Sequence, residues 1–167
     1  MKRATEAEAA ARVPEASRVL WSTRVYYQHT DAGGVVFHSR YLDFMECART
    51  ELLQSLGFDI GQLARERHVL FMVYSATIDF ARPALLNDTI GVSARLAKVG
   101  RARLVFRQEV TRSGELLASG DITLACVDAR TLKPVAVPSG IRECLEELAD
   151  SLTGSASGTS AAMPGQS

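Results

Sequence analysis

A short polar loop separates a β-type run from a long helical pattern within residues 26–57, and this succession most constrains the fold. The loop holds one carboxylate, Asp31, followed by Gly33 and Gly34. Glycine lets the backbone adopt a positive φ or approach a ligand closely. The pattern therefore predicts a strand, a tight loop and a helix in direct succession.

The predicted start of this helix is itself suited to chemistry. His38 stands where the helix begins, after the apolar run 35–37, and Ser39 is a candidate N-cap. The first amides of a helix lack intrahelical partners and carry partial positive charge, which favours an oxyanion or a polarised carbonyl. A carboxylate and such amides are two of the parts that acyl transfer needs.

The helix carries one wide apolar stripe, and Gly57 stands at its expected C-terminal end. A stripe this wide predicts a helix largely enclosed by other structure. Arg49 lies beside the stripe and needs a partner if it is buried, so a structural ion pair with Glu46, one turn earlier, is predicted. The stripe consists of Tyr41, Met45, Ala48, Leu52 and Leu56, flanked by Leu42, Phe44 and Leu53.

Composition bounds the class of protein. A chain of 167 residues suits one domain with a proper core, and its net charge of zero gives no electrostatic reason to expect nucleic acid or an anionic membrane. Cys47, Cys126 and Cys144 are far apart and form no C-x-x-C pair, which is typical of reduced thiols in a cytoplasmic protein.

The two ends of the chain are predicted to lie outside the fold. Residues 1–17 are rich in Ala and Glu and lack the apolar core of a signal peptide. Residues 151–167 form a tail of Gly, Ser and Ala that cannot build a core. Both are predicted to be disordered, which leaves residues 18–150 as the folded domain.

The rest of the domain is predicted to be mostly strands. A first strand is expected over 21–27, and alternation over 70–80 predicts a long strand with one strongly apolar face, ended by Pro83. Two further strands lie on either side of a turn at 98–101, and Ser113-Gly114 predicts a hairpin into a last strand. A strand, a long helix and four more strands favour an α+β fold with the helix packed on an antiparallel sheet.

The loop and the first part of the predicted helix resemble a known family of proteins. The segment Tyr27-Gln28-His29-Thr30-Asp31-Ala32-Gly33-Gly34-Val35-Val36-Phe37-His38, followed by Tyr41 and by Glu46-Cys47-Ala48-Arg49-Thr50-Glu51, closely resembles the signature of hotdog-fold acyl-CoA thioesterases. It is similar to the 4-hydroxybenzoyl-CoA thioesterase family and, within it, to the Tol-Pal-associated acyl-CoA thioesterases. The specific part of the resemblance covers residues 24–57.

The resemblance implies a hotdog fold, in which a curved antiparallel sheet wraps a long central helix. It also implies homodimers or homotetramers with active sites at subunit interfaces, an acyl-CoA substrate, no cofactor, and an association with envelope or lipid-synthesis proteins. Asp31 would be the essential carboxylate, and the amide of His38 would polarise the thioester carbonyl. Gly34, Val35 and Tyr41 would bind substrate.

Two departures from the family pattern affect the walls of the site rather than its chemistry. Phe37 stands where relatives often have Tyr, and Leu85-Leu86 replaces a more polar pair. Either departure leaves the catalytic carboxylate in place. The second is expected to alter the groove for the acyl group or for CoA.

Three basic residues at one turn are candidates for a second part of the site. Lys98, Arg101 and Arg103 could hold the CoA phosphates through charge-assisted hydrogen bonds, or they could be solvated turn charges. A metal site built from His29, Asp31 and His38 is not expected, because nothing supplies a good fourth ligand.

The sequence leaves several alternatives open. Asp31 could close an Asx turn instead of acting in catalysis, and as a catalyst it could be the nucleophile or the general base. A hotdog hydratase or dehydratase and a non-catalytic acyl-thioester-binding scaffold are the rival functions. The preferred acyl group cannot be read from the residues.

Overall fold

The computed structural model describes residues 19–154, which form one sheet and three α-helices. A single turn of 3-10 helix, Tyr27–His29, follows the first strand. The elements in chain order are β1 (Val19–Arg24), α1 (Arg40–Ser55), α2 (Ile60–Glu66), β2 (Val69–Phe80), β3 (Thr89–Val99), β4 (Arg103–Arg112), β5 (Glu115–Asp128) and α3 (Ser139–Gly154).

The sheet has the order β1-β3-β4-β5-β2, and every neighbouring pair is antiparallel. β1 and β2 therefore occupy opposite edges, although only α1 and α2 separate them along the chain. α1 packs against β1, β3 and β4, and α3 packs against β3. This arrangement confirms the predicted α+β class, with one long helix on an antiparallel sheet.

α1 buries most of its predicted stripe and ends where expected. At its C-terminus Gly57 has a φ of 85°, its amide donates to Gln54, and the Phe58 amide donates to the Leu53 carbonyl. These two bonds form a Schellman motif, which satisfies the last carbonyls of the helix. Leu42 departs from the prediction because its side chain is exposed. The buried residues of α1 are Tyr41, Phe44, Met45, Ala48, Arg49, Leu52 and Leu53.

A buried polar pair lies between α1 and the sheet. The Arg49 Nη1 atom donates to Gln108 Oε1 at 2.7 Å, and Gln108 Nε2 donates to the Met45 carbonyl at 2.9 Å. Gln108 is fully buried among apolar neighbours on β4. The predicted ion pair between Glu46 and Arg49 is wrong, because within residues 19–154 no ion pair joins them and Glu46 is exposed. Burial lowers the pKa of Arg49, and the more distant charge of Glu46 opposes this shift.

β2 is an edge strand whose apolar side chains stay largely uncovered. The predicted strand forms, but its burial does not alternate, and Met72, Val73, Tyr74 and Phe80 are exposed. The register against β5 shifts between Val73 and Ser75, which leaves Tyr74 in a bulge. α1 packs mainly over β1, β3 and β4 and reaches β2 at its end, where the Tyr41 ring contacts the Phe80 ring.

The ends of the elements differ from the predictions in two places. β1 ends at Arg24, before the predicted boundary, because the Tyr26 amide bonds to the His29 ring and the chain turns. α3 runs to Gly154, so the predicted tail from residue 151 begins too early. The predicted tail residues 1–17 and 155–167, together with residue 18, lie outside the described part of the chain.

Gly120 on β5 sits where α1 approaches the sheet closely. A Cβ atom there would lie 3.0 Å from the Thr77 carbonyl oxygen, 3.2 Å from Ile78 Cγ1 and 3.4 Å from Met45 Cε. We expect Gly120→Val to lower the free energy of unfolding by about 1–3 kcal/mol, because its extra methyl groups overpack this contact. Denaturant unfolding measures the change. Gly140→Ala is the control, since nothing lies within 4 Å of its Cβ position, and equal stability of the two variants would contradict the packing argument.

Candidate active site

The loop that holds Asp31 is closed by its own hydrogen bonds. Asp31 Oδ1 accepts the Gly33 amide at 2.7 Å, which is an Asx turn. The Asp31 amide donates to the Val35 carbonyl at 2.9 Å, and the Gly34 amide donates back to the Asp31 carbonyl at 3.0 Å. Gly34 has a φ of 75°, which a residue with a side chain rarely adopts. The Asp31 carboxylate is exposed, and the hydrogen bond from the Gly33 amide to Oδ1 fixes its orientation.

His29 supports this loop from inside. Its Nδ1 atom accepts the Tyr26 amide at 3.0 Å, and its ring packs edge-on against Phe44 at a centroid distance of 5.2 Å. Burial lowers the pKa of His29, and the nearby charge of Arg40 lowers it further, whereas Asp43 opposes both. A neutral ring is the form that accepts at Nδ1, so His29 is a structural residue of the loop.

The start of α1 leaves an amide unused. The Phe37 amide donates to the His29 carbonyl and the Arg40 amide donates to the Phe37 carbonyl, whereas the hydrogen bonds of residues 19–154 do not include the amide of His38. Ser39 occupies the predicted N-cap position, but its side chain makes no capping hydrogen bond. The His38 amide can therefore donate to an oxygen of a bound molecule.

A cavity of about 240 Å³ opens beside His38. Tyr41 forms part of its wall, and the Tyr41 hydroxyl accepts the Ala84 amide at 3.0 Å. Burial raises the pKa of Tyr41, so its hydroxyl stays protonated at neutral pH. The lining is mostly apolar, with one cationic side chain, and consists of Val36, His38, Tyr41, Phe80, Ala81, Arg82 and Pro83.

The predicted substrate-binding residues fall into two groups. Gly34 and Val35 belong to the Asp31 loop, and Val35 pairs with Leu85. Lys98, Arg101 and Arg103 lie around the turn that joins β3 to β4. This turn is about 30 Å along β3 from Asp88, which is next to the Asp31 loop region. The structure therefore does not bring the three cations to Asp31 within one chain. Arg103 instead stacks over the Tyr74 ring of β2 at 3.9 Å.

Sequence reasoning missed a set of charged residues behind the cavity. Arg82 forms an ion pair with Glu115, and Arg112 forms ion pairs with both Glu115 and Asp88. Of these residues the sequence indicated only Arg82, as a weaker candidate than Lys98, Arg101 and Arg103 for binding the CoA phosphates. The partners come from three separate segments, so no local pattern could have found them.

Within residues 19–154, no group of three or more His, Cys, Asp or Glu side chains is arranged to hold a metal ion. None of the helices in that range has the length and apolarity needed to cross a membrane.

The fold and the loop together match a known class of proteins. Residues 25–145 match the thioesterase-like superfamily, and the chain belongs to this family. The match confirms the predicted hotdog fold and the resemblance to thioesterases.

Particular relatives show how far the similarity extends. The chain is 40% identical over 125 residues to acyl-CoA thioesterase YbgC of Haemophilus influenzae, covering 75% of this chain and 92% of the relative. It is 30% identical over 122 residues to the long-chain acyl-CoA thioesterase FadM of Escherichia coli, covering 72% and 91%. The crystal structure of a probable thioesterase from Bartonella henselae superposes with a TM-score of 0.68 at 30% identity, covering 71% and 97%.

Proposed function

We propose that this protein is an acyl-CoA thioester hydrolase in which Asp31 supplies the catalytic carboxylate and the His38 amide stabilises the oxyanion. The unused His38 amide, beside an apolar cavity and following the Asp31 loop, is the observation that carries the proposal. The family and the names of its relatives support the reaction.

The chemistry needs few groups. Water and acyl-CoA give a carboxylic acid and CoA, and the thiolate of CoA leaves readily. The Asp31 carboxylate either attacks the thioester carbonyl to form a mixed anhydride, which water then hydrolyses, or takes a proton from the attacking water. In both routes the carbonyl oxygen becomes an oxyanion, and a hydrogen bond from the His38 amide lowers its energy.

We further propose that the complete site is formed by two chains paired side by side along β2. The edge position and exposed apolar side chains of β2 support such pairing. The first half of β2 lies near Arg103, which is level with Met72 across β5 and stacks on Tyr74, and the strand ends next to the cavity at Phe80. An antiparallel pair of β2 strands would therefore bring the basic end of one chain beside the cavity of the other. In such a pair, Lys98, Arg101 and Arg103 of one chain would lie close to the Asp31 site of the other chain.

The pairing predicts that a charge on β2 separates the subunits. Val73 is 53% exposed, and Val73→Lys would place an ammonium in the proposed interface. We expect the variant to sediment as a monomer at concentrations where the wild type is a dimer or tetramer. Its kcat/KM should fall as well, because each site would lose the partner's basic residues.

Val19→Lys is the matched control on the opposite edge. Val19 belongs to β1 and is 48% exposed, so the substitution changes an equally open strand. We expect it to keep the wild-type mass. A monomeric Val19→Lys variant beside an oligomeric Val73→Lys variant would contradict pairing through β2.

A substrate panel tests the reaction itself. The wild-type protein would be incubated with short-chain, long-chain and aromatic acyl-CoA and with crotonyl-CoA, and chromatography would quantify every product. Release of free CoA from the acyl-CoA set supports the hydrolase. Conversion of crotonyl-CoA to hydroxybutyryl-CoA without CoA release would favour the hydratase. Recovery of every substrate without conversion would favour a binding scaffold.

Compartment and partners are part of the proposal as well. Cys47, Cys126 and Cys144 are free thiols, which supports a reducing compartment such as the cytoplasm. The resemblance of the loop and helix segment to Tol-Pal-associated thioesterases supports an association with envelope or lipid-synthesis proteins. Fractionation of cells followed by crosslinking would test both statements.

A further inference from the structure

The loop 81–88, which joins β2 to β3, forms one wall of the cavity. Ala81, Arg82 and Pro83 line the cavity directly. The amides of Ala81 and Arg82 both donate to the Leu117 carbonyl of β5, at 2.9 and 3.0 Å. The beginning of the loop is therefore fixed to the sheet.

The middle of the same loop holds the segment that leads to His38. The Ala84 carbonyl accepts the Val36 amide at 2.9 Å, and the Ala84 amide donates to the Tyr41 hydroxyl at 3.0 Å. Val35 pairs with Leu85. Ala84 is fully buried between these contacts. Any shift of the loop would thus be passed to the Val36 backbone before His38 and to the Tyr41 side chain after it.

Four charged side chains of alternating sign connect the two ends of this loop. Asp88 Oδ2 accepts the Leu85 amide at 2.8 Å and Arg112 Nη1 at 2.6 Å. Arg112 Nη2 donates to Glu115 Oε2 at 2.6 Å, and Arg82 Nη1 donates to Glu115 Oε1. Arg112, on β4, therefore links Asp88 at the end of the loop, through Glu115, to Arg82 at its beginning.

This network differs from an ordinary surface ion pair. The side chains of Asp88, Arg112 and Glu115 keep only 20%, 27% and 34% of their exposure, and Arg112 contacts two carboxylates through separate nitrogens. Isolated exposed pairs contribute little, whereas connected pairs with good geometry contribute more. Burial acts to raise the pKa of Asp88, but hydrogen bonds from Leu85 and Arg112 outweigh it and hold that pKa below its ordinary value.

We propose that the network Arg82, Glu115, Arg112 and Asp88 positions the loop 81–88 and, through Ala84, the oxyanion-binding amide of His38. Arg112 is then a positioning residue for the reaction, since it touches neither the cavity nor the Asp31 loop. The inference rests on the proposed function, because it assigns the network to the same site.

The test compares Arg112→Met with Arg112→Lys and with Arg107→Met. Arg107 is also on β4 and pairs with Asp121, outside the network, so its variant controls for the loss of one ion pair. Hydrogen exchange measured by NMR would follow the amides of Val36, Ala84 and Leu85. In Arg112→Met we expect their exchange to accelerate about tenfold relative to wild type, while the amides at the centre of β4 keep their rates.

Kinetics supply the second measurement. We expect Arg112→Met to lower kcat about tenfold with a smaller change in KM, because a displaced donor affects the transition state more than substrate binding. Arg112→Lys should be intermediate, since an ammonium can reach one carboxylate but not both in the planar geometry of arginine. Arg107→Met should match the wild type in both measurements.

The outcomes distinguish a failure of the positioning role from a failure of the proposed hydrolase function. Unchanged exchange at Val36 and Ala84 in Arg112→Met overturns the positioning role, and so does faster exchange spread evenly over the sheet, which would mean general destabilisation. If the wild type cleaves no acyl-CoA, the proposed function fails, and the local exchange still decides whether the network fixes the loop. If Asp31→Asn abolishes turnover but Arg112→Met retains it, the function stands and this inference fails.

Discussion

An Asp31→Asn variant is expected to hydrolyse acyl-CoA about 10²- to 10⁴-fold more slowly than the wild type. The amide that replaces the carboxylate can neither attack the thioester nor accept a proton from water. The Asx turn should survive, because the Asn side chain keeps an oxygen that can accept the Gly33 amide, which bonds to Oδ1 at 2.7 Å. Loss of activity would then report chemistry rather than the shape of the loop.

The measurement is kcat with the best substrate of the panel, alongside circular dichroism and thermal unfolding. Asp121→Asn serves as the control, because Asp121 is an exposed carboxylate of β5 that pairs with Arg107. It should keep wild-type turnover. Equal turnover by Asp31→Asn and wild type would rule out a catalytic role for the Asp31 carboxylate and would favour a purely structural Asx turn.

The second large effect is expected in the core, at Gln108. Gln108→Leu removes the acceptor of Arg49 and the donors to the Met45 and Ser93 carbonyls. The Arg49 guanidinium would remain buried without its acceptor, which is costly. We expect the free energy of unfolding to fall by roughly 2–4 kcal/mol.

A double variant separates this cost from the value of the pair. Arg49→Met combined with Gln108→Leu removes both polar partners and should recover much of the loss, because an apolar pair leaves no charge unsatisfied. Gln54→Leu, an exposed position of α1, is the control and should change stability by less than about 0.5 kcal/mol. Denaturant unfolding at one fixed protein concentration measures the wild type, Arg49→Met, Gln108→Leu, the double variant and Gln54→Leu. Additive losses in the double variant would contradict the pairing.

Local signals predicted the local structure well. The stripe of α1, the glycine stop at Gly57 and the Ser113-Gly114 hairpin are all confirmed, and both hairpin residues have positive φ, 49° and 82°. Each of these features depends on residues a few positions apart, so a linear pattern contains the information. The end of β1 was misplaced because a side chain, His29, competes for the Tyr26 amide.

Long-range partners were not predictable in the same way. Arg49 and Gln108 are separated by 59 residues, and the nearer Glu46 offered a plausible local partner for the same cation. The sequence pattern also could not indicate that α1 would leave most of β2 uncovered, since that depends on strand order. In the candidate site, the Asp31 loop and the start of α1 were predictable, whereas the Arg112 network was not.

The strand order has a consequence for how the chain folds during synthesis. Among the described strands β2 pairs with β5 alone, yet β3 and β4 lie between them in the chain. On the ribosome, residues 69–80 therefore have no strand partner until β5 has emerged, which makes this apolar segment the expected target for chaperones and for premature aggregation. A chain truncated before β5 should therefore leave the backbone hydrogen-bonding groups of β2 unpaired.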